Sequence, residues 1–423
     1  MNRALSFFAR GRPFVTVSPR QATWRGAVLV MFFLTGGAGL VYQVAWTRLL
    51  TTLFGAASPA IATVLTSYML GLALGGLVLG RLADRRGDPL LLYALLQLGI
   101  AAYALVLPWL VSTTTALYTL FYRQLEAQPA LLTAARFGHA VALLLLPTAL
   151  MGGTLPVLTT YLSRDARATG RDVASLYGAN TLGAALGCVL TGYLLIEWLG
   201  VSGAIRVAAG VQLLVAATVL LVWRSGSASA AQAGERLDDE ASRDRSAARE
   251  RRVRPAARGR RDAPARTLGA SPGTVALAAA GFAGFAMLSL ENLWSRLLTF
   301  FLGNTTYAFS AVLTAVLAGL ALGSLAARRA LRRTRDPLAL LGALQLGVGV
   351  ATLLLLPVQW RLNDVRSALL GGADAPGWWQ LTLARFVVAS VALLLPTLGM
   401  GAIFPCAAAV ASADDRGQGR TVG

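Results

Sequence analysis

The chain has 423 residues, of which 56% are hydrophobic and only 13% are charged. This composition is too apolar for an ordinary soluble domain and is typical of a protein that crosses a lipid bilayer many times. The formal net charge of +19 comes from 38 basic side chains, all of them arginine, and 19 acidic ones. Since the arginines fall in short runs between apolar segments, they indicate cytoplasmic loops of a membrane protein and not a nucleic-acid partner.

Residues 1–25 form a basic leader without an acidic side chain. No small-residue cleavage site follows a short apolar core there, so we do not predict a removed signal peptide. A membrane helix needs about 20 mostly apolar residues, and residues 26–223 form a first membrane repeat with six such spans. They are Gly26–Leu50, Ala60–Gly80, Pro89–Val111, Phe137–Leu162, Val173–Ile196 and Ala204–Trp223.

Residues 224–271 break this pattern, because they consist mainly of Arg, Ala, Asp, Glu, Ser and Gly. Such a composition predicts a basic, disordered cytoplasmic linker. Residues 272–423 form a second membrane repeat with four further spans, which makes about ten in all. They are Val275–Phe300, Tyr307–Ala326, Leu338–Pro357 and Leu381–Ala411.

The two repeats share sequence at a constant offset, which indicates an internal duplication. Trp46 and Trp294 correspond, and the segment GLALG at residues 71–75 recurs at residues 319–323. The first repeat continues past its fourth span into two more, whereas the second stops where its own pattern predicts a fifth and a sixth helix. We favour a chain truncated from a longer one over the loss of two helices.

Prolines flank glycines inside the fourth span of each repeat: Pro147 and Pro156 in the first, Pro396 and Pro405 in the second. Proline removes a backbone donor and breaks or kinks a helix. Packing kinks are the favoured interpretation, since small residues allow close helix contact. The alternative is an unwound turn that lines a substrate or ion path.

Arginine placement orients the spans, because cytoplasmic loops carry an excess of arginine. This rule predicts that the N-terminus, the linker and the C-terminus all face the cytoplasm. The arginine-rich segments are the leader, Arg81–Arg86, Arg164–Arg171, the linker, Arg328–Arg335 and Arg416–Arg420.

Polar side chains within membrane spans are costly and normally face the interior of the bundle. The candidates for a central cavity are Gln43, Arg136, His139, Glu291, Asn292 and Arg385.

Two pairs of these candidates are repeat equivalents, namely Gln43 with Glu291 and Arg136 with Arg385. We predict that Glu291 faces the bundle interior within reach of Arg136 or Arg385, either as an ion pair that fixes packing or as part of a transport path. His139, the single histidine, is interpreted as a hydrogen-bonded packing residue, with a proton relay as the alternative.

Gly80, Asp84, Arg85 and Gly87 lie in the predicted cytoplasmic loop between spans two and three. Their spacing resembles the loop signature of major facilitator transporters, and six spans followed by a basic linker and a second half fit that architecture. In the facilitator fold, spans one, four, seven and ten line the central cavity, and the polar candidates fall on these spans. The predicted fold is therefore all-α: a polytopic membrane helix bundle with a facilitator-like internal repeat of about 6 + 4 helices.

A fuller resemblance combines LVYQVAWTRLL at residues 40–50, the GLALG helix, PTALMGGTLP at residues 147–156 and LYGANTLGA at residues 176–184. Together these segments resemble the bacterial membrane proteins that fuse a facilitator-like bundle to a spermidine synthase-like domain. The resemblance implies an inner-membrane module that anchors a polyamine-related activity, and it leaves open whether the module also moves a substrate or product. A stand-alone facilitator-type transporter is the alternative, and a non-functional remnant is the third.

We predict no catalytic, cofactor-binding or metal-binding residue in residues 1–423. One histidine cannot build a catalytic triad, and Cys188 and Cys406 both lie in apolar stretches without metal-ligand spacing. The catalytic domain of the resembled family follows the last span, so no aminopropyltransferase activity is expected from these residues. The expected partners are the lipid bilayer and a small, polyamine-related solute, without nucleic acid or a cofactor.

Overall fold

The computed structural model describes residues 19–55, 58–85, 88–162, 166–245, 271–303, 305–370 and 377–414. The regular structure in these ranges is helical, with a single π-helical turn at Thr191–Leu195. The helices are α1 (Pro19–Phe54), α2 (Ser58–Arg85), α3 (Pro89–Leu125), α4 (Pro129–Gly152), α5 (Thr154–Leu162), α6 (Ala166–Leu190), α7 (Ile196–Arg245), α8 (Pro272–Leu302), α9 (Thr306–Arg333), α10 (Pro337–Trp360), α11 (Leu362–Leu370) and α12 (Trp378–Asp414).

Nine segments of the described chain are long and apolar enough to cross a membrane. One of them, Thr169–Ser225, has 57 residues and as a straight helix would measure about 85 Å, far more than the roughly 30 Å of a hydrocarbon core. It bends at Gly200, where a φ of 68° and a ψ of 177° interrupt the helix, so it holds both the fifth and the sixth predicted spans. The predicted all-α polytopic bundle is confirmed.

Equivalent glycines end the first helix of each repeat. Gly55 follows α1 with a φ of 88°, and Gly303 follows α8 with a φ of 78°. These left-handed conformations are the ones that favour glycine, because a side chain would clash there, and they commonly terminate helices. The duplication is therefore visible in backbone geometry as well as in sequence.

Glycines allow two helix pairs to approach closely, α2 with α4 in the first repeat and α9 with α12 in the second. A Cβ atom placed on Gly75 would lie 1.8 Å from the carbonyl oxygen of Ala149, and one on Gly323 would lie 1.9 Å from that of Leu398. Contact through small residues is a main way in which membrane helices associate. The repeated GLALG segment is thus a helix-packing surface.

The prolines of the fourth spans differ between the repeats. In the first, a turn at Gly153 separates α4 from α5, close to the predicted break. In the second, α12 runs without interruption through Pro396 and Pro405. A helix break or an unwound turn is therefore wrong there, whereas the favoured packing kink stays a prediction. Membrane helices tolerate proline because neighbouring helices and local adjustments satisfy freed backbone groups. Thr397 Oγ1 donates to the carbonyl oxygen of Leu393 (2.8 Å), which is next to the Ala392 carbonyl that Pro396 cannot bond.

The predicted linker, residues 224–271, is partly outside the described residues, which omit 246–270. The structure corrects the prediction for the first part of this linker, because α7 continues as a helix to Arg245. This stretch is rich in alanine and arginine, which are strong helix formers. Disorder was therefore the wrong prediction for residues 224–245.

The two halves meet along α6 and α9. Ser324 Oγ donates a hydrogen bond to the carbonyl oxygen of Ala174 (2.9 Å), and the Tyr193 hydroxyl donates to the carbonyl oxygen of Tyr307 (2.9 Å). A glycine in the π-helical turn that follows α6 again permits close approach, since a Cβ on Gly192 would lie 2.0 Å from Ser310 Oγ. Side-chain contacts along this seam hold the two repeats side by side.

The repeats are buried unequally. In the first, α7 packs against α1 and α3. In the second, the corresponding faces of α8 and α10, together with α12, border an apolar groove of about 900 Å³. The most apolar stretch of α8 is only 11% buried and that of α10 only 6%.

Charge bias predicts that the linker is cytoplasmic and that the turn between α1 and α2 is external. A single cysteine introduced as Ala57→Cys should react with a membrane-impermeant maleimide added to intact cells, whereas Ser227→Cys should react only after lysis. The native thiols Cys188 and Cys406 are buried and give a low background. Labelling of Ser227→Cys in intact cells would reverse the proposed orientation.

Candidate functional site: the central cavity

A cavity of about 360 Å³ lies between the two halves. This volume is at the lower end of the range for small-molecule sites, about 300–1,000 Å³. Its walls come from both repeats and are mostly apolar. The polar residues that line it are Thr35, Gln43, Tyr68, Gln97, Thr154, Tyr177, Asn180, Thr181, Gln212 and Glu291.

Among the described residues that line this cavity, Glu291 is the one with a charged side chain. Glu291 is on α8. Because it lines the cavity between the two halves, its position agrees with the prediction that it faces the bundle interior. The two ion pairs within the described ranges, Arg25–Asp172 and Arg361–Asp364, do not involve it. Within these ranges, the cavity therefore has one acidic group without an arginine partner.

Gln43, the repeat equivalent of Glu291, lines the same cavity from α1 and is only 5% exposed. Asn180 and Thr181 add amide and hydroxyl groups from α6. The duplication has thus placed a neutral amide and a carboxylate at matching positions in the two halves. The described wall offers hydrogen bonds in both halves but charge only in the second.

Aromatic and sulfur-containing side chains complete the wall. The Tyr68 hydroxyl lies 3.3 Å from Met151 Sδ and donates to the carbonyl oxygen of Gly39 (3.4 Å). Tyr177 packs on Phe404 of the second half, with ring centroids 5.4 Å apart. Such rings present an apolar face with a polar edge, which suits an alkyl chain that carries a polar group.

A buried polar network on the first-half side was not predicted from the sequence. Gln212 Nε2 on α7 donates to Gln97 Oε1 on α3 (3.1 Å), and the hydroxyls of Thr35 and Tyr93 are 3.2 Å apart. All four side chains are at most 7% exposed. Glutamines inside apolar spans were the available signal, because burial of an amide in lipid is costly.

Arg136 and His139 lie elsewhere, at one end of the first half. Arg136 Nε donates to the Tyr118 hydroxyl (3.0 Å). The His139 ring packs edge-on against Phe54 (centroids 5.8 Å apart, 83° between planes), and its buried Nε2 has no hydrogen-bond partner in the described part of the chain. The structure thus supports packing for His139, but without the predicted hydrogen bond.

Arg385 is also outside the cavity lining, with its guanidinium 5.8 Å from the centre of the Tyr307 ring. The predicted pairing of Glu291 with Arg136 or Arg385 is therefore wrong. Both arginines lie seven residues into their helices, about 10 Å from those ends, whereas Glu291 lies eleven residues, or about 16 Å, from the end of α8. At their shallower level, each arginine meets an aromatic partner instead.

Asn292 does not line the cavity either. Consecutive residues of a helix point about 100° apart, so the neighbour of an inward-facing Glu291 turns toward another face. Among the predicted cavity residues, the structure brings Gln43 and Glu291 to the cavity and leaves Arg136, His139, Asn292 and Arg385 outside it.

The predicted loop motif is mostly helical, because Gly80, Asp84 and Arg85 lie in the last turns of α2. Gly80 is buried, Asp84 and Arg85 are exposed, and Gly87 lies outside the described residues. The buried Asp172, on α6, forms an ion pair with Arg25 of α1 at the same end of the bundle. Charged side chains thus collect at this end, away from the cavity.

Comparison with known proteins places this architecture in a family. The sequence profile described as Major Facilitator Superfamily matches residues 27–423. A polyamine aminopropyltransferase of Corynebacterium efficiens is 30% identical over 203 residues, which cover 46% of this chain and 34% of that protein. The matched region thus spans about a third of the length of that relative.

Two solved structures are also similar. The in meso crystal structure of the POT family transporter PepTSo is 14% identical, with 84% of this chain and 65% of that chain covered and a TM-score of 0.29. The auto-inhibited POT family peptide transporter is 16% identical, with 91% and 88% covered and a TM-score of 0.30. From the profile match over nearly its whole length, the chain belongs to the Major Facilitator Superfamily.

Proposed function

We propose that this multi-pass membrane protein is a transport module for a small organic amine, a polyamine or a related compound, in the bacterial plasma membrane. The observation that carries this proposal is the single carboxylate of Glu291 among the described residues of a small cavity between the two halves. The termini and the linker face the cytoplasm in this proposal, in accordance with the arginine bias.

An acidic side chain within a membrane-spanning helix is expensive unless a positive group accompanies it. The described ion pairs provide no such group for Glu291. A protonated amine that enters the cavity would supply the missing charge and donate up to three hydrogen bonds to the carboxylate and its polar neighbours. Glu291 thus favours a cationic solute over an anionic one.

The positions of Arg136 and Arg385 strengthen the preference of the cavity for a cationic solute. Guanidinium groups beside Glu291 would compete with a cationic solute for the carboxylate. Arg136 instead bonds Tyr118, and Arg385 stacks over Tyr307. Neither of these two arginines therefore opposes the binding of an amine at Glu291.

A second candidate function rests on the similarity to the polyamine aminopropyltransferase of Corynebacterium efficiens. In this proposal the bundle is the membrane module of a spermidine synthase-like fusion protein, in which it anchors a polyamine-related enzyme. The two functions are compatible, since a bundle that anchors such an enzyme would lie beside its substrate or product. Transport can be tested independently.

Uptake into proteoliposomes tests the transport proposal with three compounds that share a four-carbon chain. Labelled 1,4-diaminobutane should accumulate, whereas uncharged 1,4-butanediol and anionic butanedioate should enter no faster than into protein-free vesicles. The physical reason is that only the amine complements Glu291. Equal uptake of all three, or a preference for butanedioate, would contradict the proposal.

A further inference from the structure

Two buried glutamines have unused hydrogen-bonding capacity. Gln97 and Gln212 both line the central cavity and are each only 1% exposed. They share one hydrogen bond, from Gln212 Nε2 to Gln97 Oε1 (3.1 Å). The other atoms of the pair, Gln97 Nε2 and Gln212 Oε1, have no partner that meets hydrogen-bond geometry among the described residues.

The pair leaves one NH₂ group and one carbonyl oxygen without a partner, whichever way the two amides are oriented together, because each amide carries both groups. Leaving such groups unpaired in a buried site is energetically unfavourable. A ligand that supplies both an acceptor and a donor would recover this energy. A carboxamide or a hydroxyl group does so, whereas an ammonium group has donors only.

The network is confined to the first half of the protein within the described ranges. The repeat equivalent of Gln97 is Gln345, which donates to the carbonyl oxygen of Ala279 (2.9 Å) and borders the outer groove, not the central cavity. The positions equivalent to Thr35 and Tyr93 hold Ala283 and Leu341. The duplicated scaffold therefore did not require these polar groups for packing.

We propose that the pair Gln97–Gln212 is a second subsite of the central cavity, which binds a neutral hydrogen-bonding end of the transported solute. This inference rests on the proposed function, in which Glu291 holds the amine. The solute is then bifunctional, with a protonated amine at one end and a carboxamide or hydroxyl at the other. A monoacylated diamine has this chemistry.

Hydroxyls beside the subsite support this assignment. Thr35 also lines the cavity, and its hydroxyl contacts that of Tyr93 (3.2 Å). The Tyr93 hydroxyl in turn makes a weak hydrogen-bonding contact with the side chain of Gln97 that falls short of full hydrogen-bond geometry. These hydroxyls can each donate or accept, so they can adjust to a bound amide, whereas they carry no charge that would favour a second ammonium group.

Competition binding to the chain in lipid nanodiscs tests the subsite, with labelled 1,4-diaminobutane as the tracer. The competitors are monoacetylated α,ω-diamines of increasing chain length and alkylamines of matched length. The best monoacetylated diamine should bind about tenfold more tightly than its matched alkylamine, which equals about 1.4 kcal/mol. The double variant Gln97→Leu/Gln212→Leu should reduce this advantage to less than about twofold.

The matched control is Gln345→Leu, which removes the equivalent glutamine outside the cavity and should leave all affinities as in the wild type. Equal binding of acetylated diamine and alkylamine to the wild type would overturn the subsite alone, and so would tightest binding by the unmodified diamine. These wild-type rankings need no variant, so they test the subsite even if the double variant fails to fold. Absence of any amine binding would overturn the proposed function and this inference together.

Discussion

Replacement of Glu291 with glutamine is expected to reduce the uptake of 1,4-diaminobutane by at least about 30-fold. The substitution keeps the shape of the side chain and removes the negative charge of the cavity lining. Loss of one partner from a buried, hydrogen-bonded charge pair typically costs about 2–5 kcal/mol, and each 1.4 kcal/mol is tenfold in affinity. The measurement is initial uptake into proteoliposomes that contain equal amounts of folded protein.

The thermal stability of Glu291→Gln should be unchanged or higher, because the variant no longer buries a carboxylate without a described ion-pair partner. Glu126→Gln is the matched control, since Glu126 is an exposed carboxylate in the turn between α3 and α4. It should transport normally. Undiminished uptake by Glu291→Gln would show that this residue is not the counter-ion of the amine. Loss of folded protein would indicate that Glu291 serves helix packing instead.

The internal repeat offers a sharper form of this experiment. Gln43 is equivalent to Glu291 and lines the same cavity. The double exchange Gln43→Glu/Glu291→Gln therefore moves the charge to the matching position in the other half. Partial recovery of uptake relative to Glu291→Gln is expected if the cavity needs one negative charge more than it needs a particular helix.

The substitutions Gly75→Ala and Gly323→Ala should each destabilise the fold severely. An added Cβ would lie 1.8 Å from the carbonyl oxygen of Ala149 or 1.9 Å from that of Leu398, and these are backbone atoms that cannot rotate away. Overpacking usually costs about 1–3 kcal/mol, and here a whole helix must shift. We expect more than about 3 kcal/mol, measured as a lower unfolding temperature and a smaller monodisperse fraction in detergent.

Gly210→Ala is the control for these two substitutions. Gly210 lies within α7, and a Cβ added there would meet no atom of the described residues within 4 Å. Alanine should therefore be neutral at this position or stabilise the helix by about 0.5–1 kcal/mol. The opposite ranking, with Gly75→Ala as stable as Gly210→Ala, would mean that α2 and α4 are farther apart than the close glycine contact requires.

Sequence reasoning identified the helices, the duplication and two cavity residues for a common reason. All three depend on patterns that repeat along the chain: apolar length, constant offset and the equivalence of Gln43 with Glu291. Depth within the membrane follows approximately from the distance to a helix end. The interior position of Glu291 could be predicted for a different reason, because a polar side chain within a span avoids lipid.

Contacts between distant helices could not be predicted in the same way. Arg136 and Arg385 were expected to pair with Glu291, but they lie nearer to their helix ends than Glu291 does, and their partners there are Tyr118 and Tyr307. Gln97 and Gln212 are 115 residues apart on different helices, and no local pattern connects them. Their pairing emerges only when α7 packs against α3.

The uneven coverage of the two repeats has a consequence for the order of unfolding. Local stability follows the amount of buried apolar contact, and α10 has far less of it than its first-repeat counterpart α3, whose most apolar stretch is 50% buried against 6% for α10. On heating, amides of α10 and α8 should therefore exchange with solvent deuterium before those of α1 and α3. Lipid chains that fill the groove would delay this first step, so the choice of detergent should shift the early phase of melting more than the late one.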